Sequence, residues 1–166
     1  DFASKLMEES KPDLIIGNNV LAHVPNINDF ISGLKVALKE NGVITLEFPH
    51  LMNLIEQNQF DTIYHEHFSY FSLYTVIKLF KSHQLDVYDV DQIPTHGGSL
   101  RIYCRHYNHS ENISASIKIT ELLKKEESIG MKTLPYYNNF ESKVIKVKNN
   151  LVNFLYKQKK ENKTVI

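Results

Sequence analysis

Apolar residues follow two different rhythms along this chain. Asp13-Leu14-Ile15-Ile16-Gly17, behind Lys11-Pro12, is a short unbroken apolar run, the pattern of a strand buried on both faces of a parallel sheet. It stops at Asn18-Asn19. Asn28 then suits a helix N-cap and Asp29 a first turn, and Phe30, Leu34, Ala37 and Leu38 recur at helical spacing until Asn41-Gly42. Val43 to Phe48 is β-branched and apolar enough for a second buried strand, closed by Pro49. Strand, helix and strand make a right-handed parallel crossover, so the expected fold class is α/β.

A polar loop through Gln57-Asn58-Gln59 follows. Ser72 then caps a helix with Leu73, Val76, Ile77 and Phe80 on one face. Val87 to Val90 and Leu100 to Cys104 read as strands joined by Pro94-Thr95-His96-Gly97-Gly98-Ser99, an antiparallel pair at a sheet edge. Residues 113–128 and 136–158 read as helices. The second carries Phe140, Val144, Val147, Leu151 and Phe154 alternately four and three apart, with a lysine-rich outer face. Residues 1–110 thus form an α/β unit and residues 111–166 a helical bridge.

With 19 basic and 19 acidic residues and 42% apolar content, the chain has the profile of an ordinary soluble domain, and neither nucleic acid nor a membrane is expected as a partner. The lysine face reads as solvated. The single cysteine, Cys104, excludes an intrachain disulfide and fits a reducing, cytoplasmic setting. Asp1-Phe2-Ala3-Ser4 is neither a signal peptide nor a methionine start, and Thr164-Val165-Ile166 reads as the beginning of a strand. The expectation is an internal piece of a longer protein.

Candidate chemistry concentrates in Tyr64-His65-Glu66-His67-Phe68-Ser69-Tyr70-Phe71, at the entrance of the Ser72 helix. Imidazole titrates near neutrality, a carboxylate can raise its basicity, and aromatic rings can exclude water, so the cluster suits proton transfer. Ligands of open parallel sheets sit beyond the carboxyl ends of strands, which adds Asn18, Asn19, His23, Pro49 and His50. A zinc site from His65 and His67 with His50 or His96 is the competing reading. No cysteine pair or His-Glu-x-x-His helix supports it, so no metal site is expected here. Gly97-Gly98 can be explained by turn geometry, and Arg101 can meet a carboxylate, solvent or a phosphate.

The run Asn18-Asn19-Val20-Leu21-Ala22-His23-Val24-Pro25-Asn26, a helix, and Leu38-Lys39-Glu40-Asn41-Gly42-Val43 resembles the fourth-to-fifth-strand crossover of class I methyltransferases that use S-adenosylmethionine. Glu40-Asn41 stands where that family usually has Pro-Gly. Tyr64 to Ser72, with His96-Gly97-Gly98-Ser99-Leu100-Arg101, narrows the resemblance to sugar-nucleotide C-methyltransferases, which place branched methyl groups on deoxysugars. This implies the second half of a Rossmann-like sheet, mostly parallel with an antiparallel edge pair, and then a bridge into a C-terminal domain.

Carried over by position, the resemblance makes His67 the general base at carbon beside a ketone, Glu66 its charge partner and Tyr64 a hydroxyl for the enolate oxygen. His23 joins them as a catalytic residue. Asn19, His96, Gly97, Gly98, Ser99 and Arg101 would contact a nucleotide-sugar substrate, and Asn18 the cofactor. The glycine-rich S-adenosylmethionine cradle, the acidic ribose-binding residue and a zinc-binding cysteine-rich segment would lie upstream of Asp1. The chain by itself is therefore expected to bind the cofactor poorly and to be inactive. An O- or N-methyltransferase for another small molecule, or a non-catalytic assembly domain using the two late helices, are the alternative functions.

Overall fold

In the computed structural model, which describes residues 11–108 and 114–165, strands β1 (Leu14–Asn18), β2 (Val43–Pro49), β3 (Leu85–Ile93) and β4 (Ser99–His106) form one sheet in the order β1-β2-β4-β3. Helix α1 (Ile27–Ala37) connects β1 to β2, which pair in parallel from Leu14↔Val43 to Asn18↔Glu47. The expected crossover is present. The mostly parallel sheet is not: β4 pairs antiparallel with both β2 and β3, so two of the three pairings are antiparallel. β4 alone is reversed, and β3 alone of the pair is an edge strand. The apolar triplet Leu100, Ile102 and Cys104, each 0% exposed, explains the insertion, because a strand this apolar is best covered with neighbours on both sides. Burial also pushes the Cys104 thiol well above its ordinary value.

The core lies on one face of the sheet. Ile44, Leu46 and Phe48 of β2 and the β4 triplet meet Ile31 and Leu38 from the α1 segment, and Leu73, Val76 and Phe80 of α3 (Leu73–Ser82). Ser72 caps α3 by accepting from Thr75 N at 3.1 Å. The cap of α1 differs from expectation: Asn26, not Asn28, accepts from Asp29 N at 3.1 Å, and Asn28 Oδ1 instead accepts from His83 Nε2 at 3.0 Å. β1 is not buried on both faces. Ile15 packs on the core, but Leu14 and Ile16 are 52% and 63% exposed on the opposite face, which the described residues leave uncovered there.

A helix, α2 (Leu51–Glu56), occupies part of the expected polar loop and buries Met52, Leu54 and Ile55. Six residues are too few for a helical period to declare itself. Of the late helices, α4 (Ile117–Ser128) buries Ile119 and Leu122 against the core. Residue 113, the expected start, lies outside the described residues. α5 (Phe140–Lys160) buries none of its residues, and Val147, Leu151 and Phe154 of its apolar stripe are exposed. Thr164 and Val165 are irregular rather than strand, and Ile166 lies outside the described residues.

Phe80→Ala should lower unfolding free energy by about 3–5 kcal/mol, the usual range for emptying a buried aromatic site. Phe154→Ala, on the open stripe, should stay within about 0.5 kcal/mol. Urea titration of both variants against the parent chain checks this contrast.

Candidate active site

Residues 62–72 run from the end of a one-turn helix (Phe60–Thr62) to the cap of α3, beside the carboxyl ends of β1 and β2. The loop is tied down by backbone bonds, Phe68 N and Ser69 N to the Ala22 carbonyl at 2.8 and 3.3 Å. Ala22 belongs to the one-turn helix Leu21–His23 that follows β1. This docking brings His23 onto His67, ring centroids 4.6 Å apart, with Tyr64 on His67 at 4.4 Å and Tyr70 edge-on at 5.9 Å. Three expected catalytic residues, His23, Tyr64 and His67, therefore meet in space although 41 and 3 positions separate consecutive members of the set.

The hydrogen bonds fix the ring states. His67 Nδ1 lies 2.8 Å from the Thr62 carbonyl, which can only accept, so Nδ1 carries the hydrogen. In the neutral ring the lone pair is then on Nε2, and the Tyr64 hydroxyl sits 3.2 Å from it as a donor. His23 is oriented in the same way, Nδ1 donating to the Glu66 carbonyl at 3.0 Å. His67, half-buried, lines a narrow cleft of about 10 Å³ with Ala22, Pro49, Leu51, Ser69 and Tyr70, which is room for about one water molecule. Its Nε2 faces Tyr64, which is 43% exposed, and its ring lies beside Pro49 at the end of β2.

Glu66 does not partner His67. Its side chain is exposed and, among the described residues, forms no ion pair; the residue contributes its backbone carbonyl to His23 instead. Two residues adjacent in sequence cannot place these side chains together here, because the turn closed by His67 N and the Tyr64 carbonyl directs them apart. The partner of His67 Nδ1 is a backbone carbonyl.

The second motif forms the β3–β4 turn. His96, Gly97 and Gly98 have φ of 51°, 76° and 110°, and His96 is exposed. A Cβ on Gly97 would meet the Gln59 amide and one on Gly98 the Asn53 amide. The close approach that requires glycine is made by these side chains, with Gln59 Nε2 donating to the Gly97 carbonyl at 2.8 Å and Asn53 Nδ2 to the Gly98 carbonyl at 3.2 Å. Ser99 Oγ turns inward to the Thr95 carbonyl at 3.0 Å. Arg101 pairs with Glu47 at 3.0 Å, the carboxylate option of its sequence reading. Asn18 is exposed at the end of β1, while Asn19 adopts a left-handed φ of 55° and leaves a buried Oδ1 without a partner.

Sequence reasoning passed over Asn53, which holds Gly98, and Gln59 and Thr62, which connect the turn to His67: Gln59 holds Gly97, Thr62 Oγ1 donates to the Gln59 carbonyl at 2.8 Å, and the Thr62 carbonyl holds His67. Only the amide-rich composition of this stretch could have signalled it. Glu47 was also missed. It is 5% exposed, and burial alone would raise its carboxyl, but hydrogen bonds from Thr95 and Arg101, with the Arg101 charge, hold it below its ordinary 4.5. Among the described residues no three potential metal ligands come together; His50 of the competing zinc set is committed to Glu126 at 2.8 Å.

A methyltransferase domain model matches residues 1–90, more than half of the 166-residue chain. The chain belongs to the class I S-adenosylmethionine-dependent methyltransferases. A second model, the C-methyltransferase C-terminal domain, matches residues 94–166 of this methyltransferase. The C-methyltransferase NovU of Streptomyces niveus is 37% identical over 127 residues, covering 76% of this chain and 30% of NovU. The chain thus spans less than a third of that relative's length. Similar solved structures include a putative methyltransferase in complex with the Haloferax volcanii Trm112 activator, at 13% identity and TM-score 0.49 over 58% of this chain and 54% of that one. Magnesium protoporphyrin IX methyltransferase from Synechocystis PCC 6803 is 15% identical with TM-score 0.45, over 60% and 47% of the two chains.

In this methyltransferase the Glu47 contacts stabilise the fold above the carboxyl's ordinary 4.5 and lose that contribution as pH falls through its lowered folded value. The stability difference between the parent chain and Glu47→Gln should therefore shrink between pH 6 and pH 3 (about the acidic carboxylate range). Urea midpoints measured across that interval test it, and a pH-independent difference would contradict the assignment.

Proposed function

We propose that this methyltransferase is the central part of a C-methyltransferase for a nucleotide-linked keto-deoxysugar, with His67 as the base that forms an enolate. The observation that carries the reading is the bond from His67 Nδ1 to the Thr62 carbonyl, which leaves the lone pair on Nε2, facing the Tyr64 hydroxyl at 3.2 Å. Similarity to NovU, named as a C-methyltransferase, supports carbon as the acceptor atom. Residues 1–110 supply the α/β part of the site and residues 111–166 the helical bridge.

The hydrogen beside a ketone is weakly acidic, so its removal needs a base and a donor at the oxygen together. In the chain as it stands the Tyr64 hydroxyl occupies Nε2 of His67. A ketone oxygen offered nearby draws that hydroxyl away, which frees Nε2 for the α-hydrogen and puts a donor on the oxygen. The C–H bond breaks, its proton goes to Nε2, and its electron pair forms the carbon–carbon double bond of an enolate whose oxygen Tyr64 holds. The new imidazolium keeps its Nδ1 bond to the Thr62 carbonyl. His23, held at its own Nδ1, packs beside the base and limits where the sugar can sit. Asn19, Gly97, Gly98 and Ser99 border the substrate side, with His96 and Arg101 at its rim; Glu66 contributes through its carbonyl.

Asn18, exposed at the end of β1, is the described residue suited to S-adenosylmethionine, and the buried Oδ1 of Asn19, without a partner among the described residues, fits a donor on the substrate. The cofactor supplies an electrophilic methyl group on a positively charged sulfur. This chain's residues supply position and the proton acceptor.

In the intact protein, the α-hydrogen of a nucleotide-linked keto-deoxysugar should exchange with deuterated solvent, and His67→Ala should abolish the exchange while cofactor affinity is kept. Retained exchange in that variant would refute the role of His67. Tyr64→Phe should slow exchange by about 10²-fold, the usual cost of losing one donor at a developing oxyanion. An O- or N-methyltransferase would show no exchange at carbon in the parent enzyme.

A further inference from the structure

We propose that His50 and Glu126 are a positioning pair through which α4 sets the geometry of the segment that carries the base. The proposal rests on the reading of His67 given above. Both side chains are withdrawn from water, His50 at 1% and Glu126 at 0% exposure. His50 Nε2 donates to Glu126 Oε1 at 2.8 Å, Leu73 N donates to the same oxygen at 2.6 Å, and Tyr74 N donates to Oε2 at 3.0 Å. Residues 51–72 are one excursion of the chain, containing α2, Thr62, Tyr64, His67 and Tyr70. Its two ends, His50 and Leu73-Tyr74, are fastened to a single carboxylate, and Leu51 N reinforces the closure by donating to the Phe71 carbonyl at 2.9 Å.

The chemistry of the junction demands a carboxylate. Three donors converge on it, two of them from the first turn of α3, where the helix dipole favours negative charge. An amide at 126 would aim its own N–H at one of these donors, and an apolar residue would leave all three stranded in the interior. His50 has no other side-chain anchor, since its Nδ1 is buried without a partner. Glu126 comes from the stretch matched by the C-terminal-domain model, whereas His50 and residues 51–74 lie in that matched by the methyltransferase-domain model. The pair therefore carries the placement of α4 to the base loop, a role beyond filling the core.

The test reads the intact protein by histidine-selective NMR and by amide hydrogen exchange. In Glu126→Gln, the His67 ring signals should move toward those of a solvent histidine, and amides of residues 62–72 should exchange about tenfold faster. The His83 signals, held by Ser32 and Asn28 on the other side of α3, should not move. Should Glu126→Gln fail to fold, His50→Leu should give the same pattern and His50→Gln, whose Nε2 can reach the carboxylate, should restore the parent one. An unchanged His67 environment in the folded variants, or His67 and His83 changing together, would overturn the pairing. His67→Ala separates the two claims: it removes proton exchange at substrate carbon if the base is correctly assigned, and it leaves the Glu126 junction intact.

Discussion

The carboxyl end of β2 is the fixed point of this molecule. Within four residues, Glu47 takes Asn19 N on its carbonyl and Thr95 and Arg101 on its carboxylate, Pro49 lines the cleft at His67, and His50 joins Gly98 through its backbone and Glu126 through its ring. The loop after β1, the β3–β4 turn and α4 are thereby registered to the same short stretch. Phe48, 0% exposed and edge-on to Phe71 at 5.5 Å, anchors it to the core. A site assembled from distant segments can hold its geometry only if those segments share such a reference.

His67 is oriented by backbone rather than by charge. A carbonyl at Nδ1 fixes the tautomer as firmly as a carboxylate would, and it cannot be lost by substitution of a side chain. Its position depends on a relay of amides, from Gly97 through Gln59 to Thr62. Glycine at 97 and 98 is then a packing requirement imposed by the Gln59 and Asn53 amides.

Much of the fold was legible. The parallel crossover, the Ser72 cap, the face of α3 and the antiparallel β3–β4 pair follow from local periodicity and capping chemistry, which act within a few residues. The meeting of His23 with His67 was foreshadowed by the strand-end rule and by the family motifs. The contact expected between Glu66 and His67 is not formed among the described residues, because adjacency in sequence is a poor guide to side-chain contact inside a turn. α2 was too short to show a period, and the amides of Asn53 and Gln59 look like ordinary loop residues until their carbonyl partners are known.

The sequence by itself determined the four strands, the longer helices and where imidazole chemistry is concentrated, since those properties reside in the order of side chains. Only the tertiary structure decided that β4 inserts beside β2, that the Thr62 carbonyl orients His67, and that Glu126 closes the ends of the segment around it. The β2–β4 pairing and the Glu126 bonds join residues 50 to 76 positions apart, and the Thr62 bond, though it spans only five positions, depends on how the loop is folded; no local pattern encodes which donor will find which acceptor.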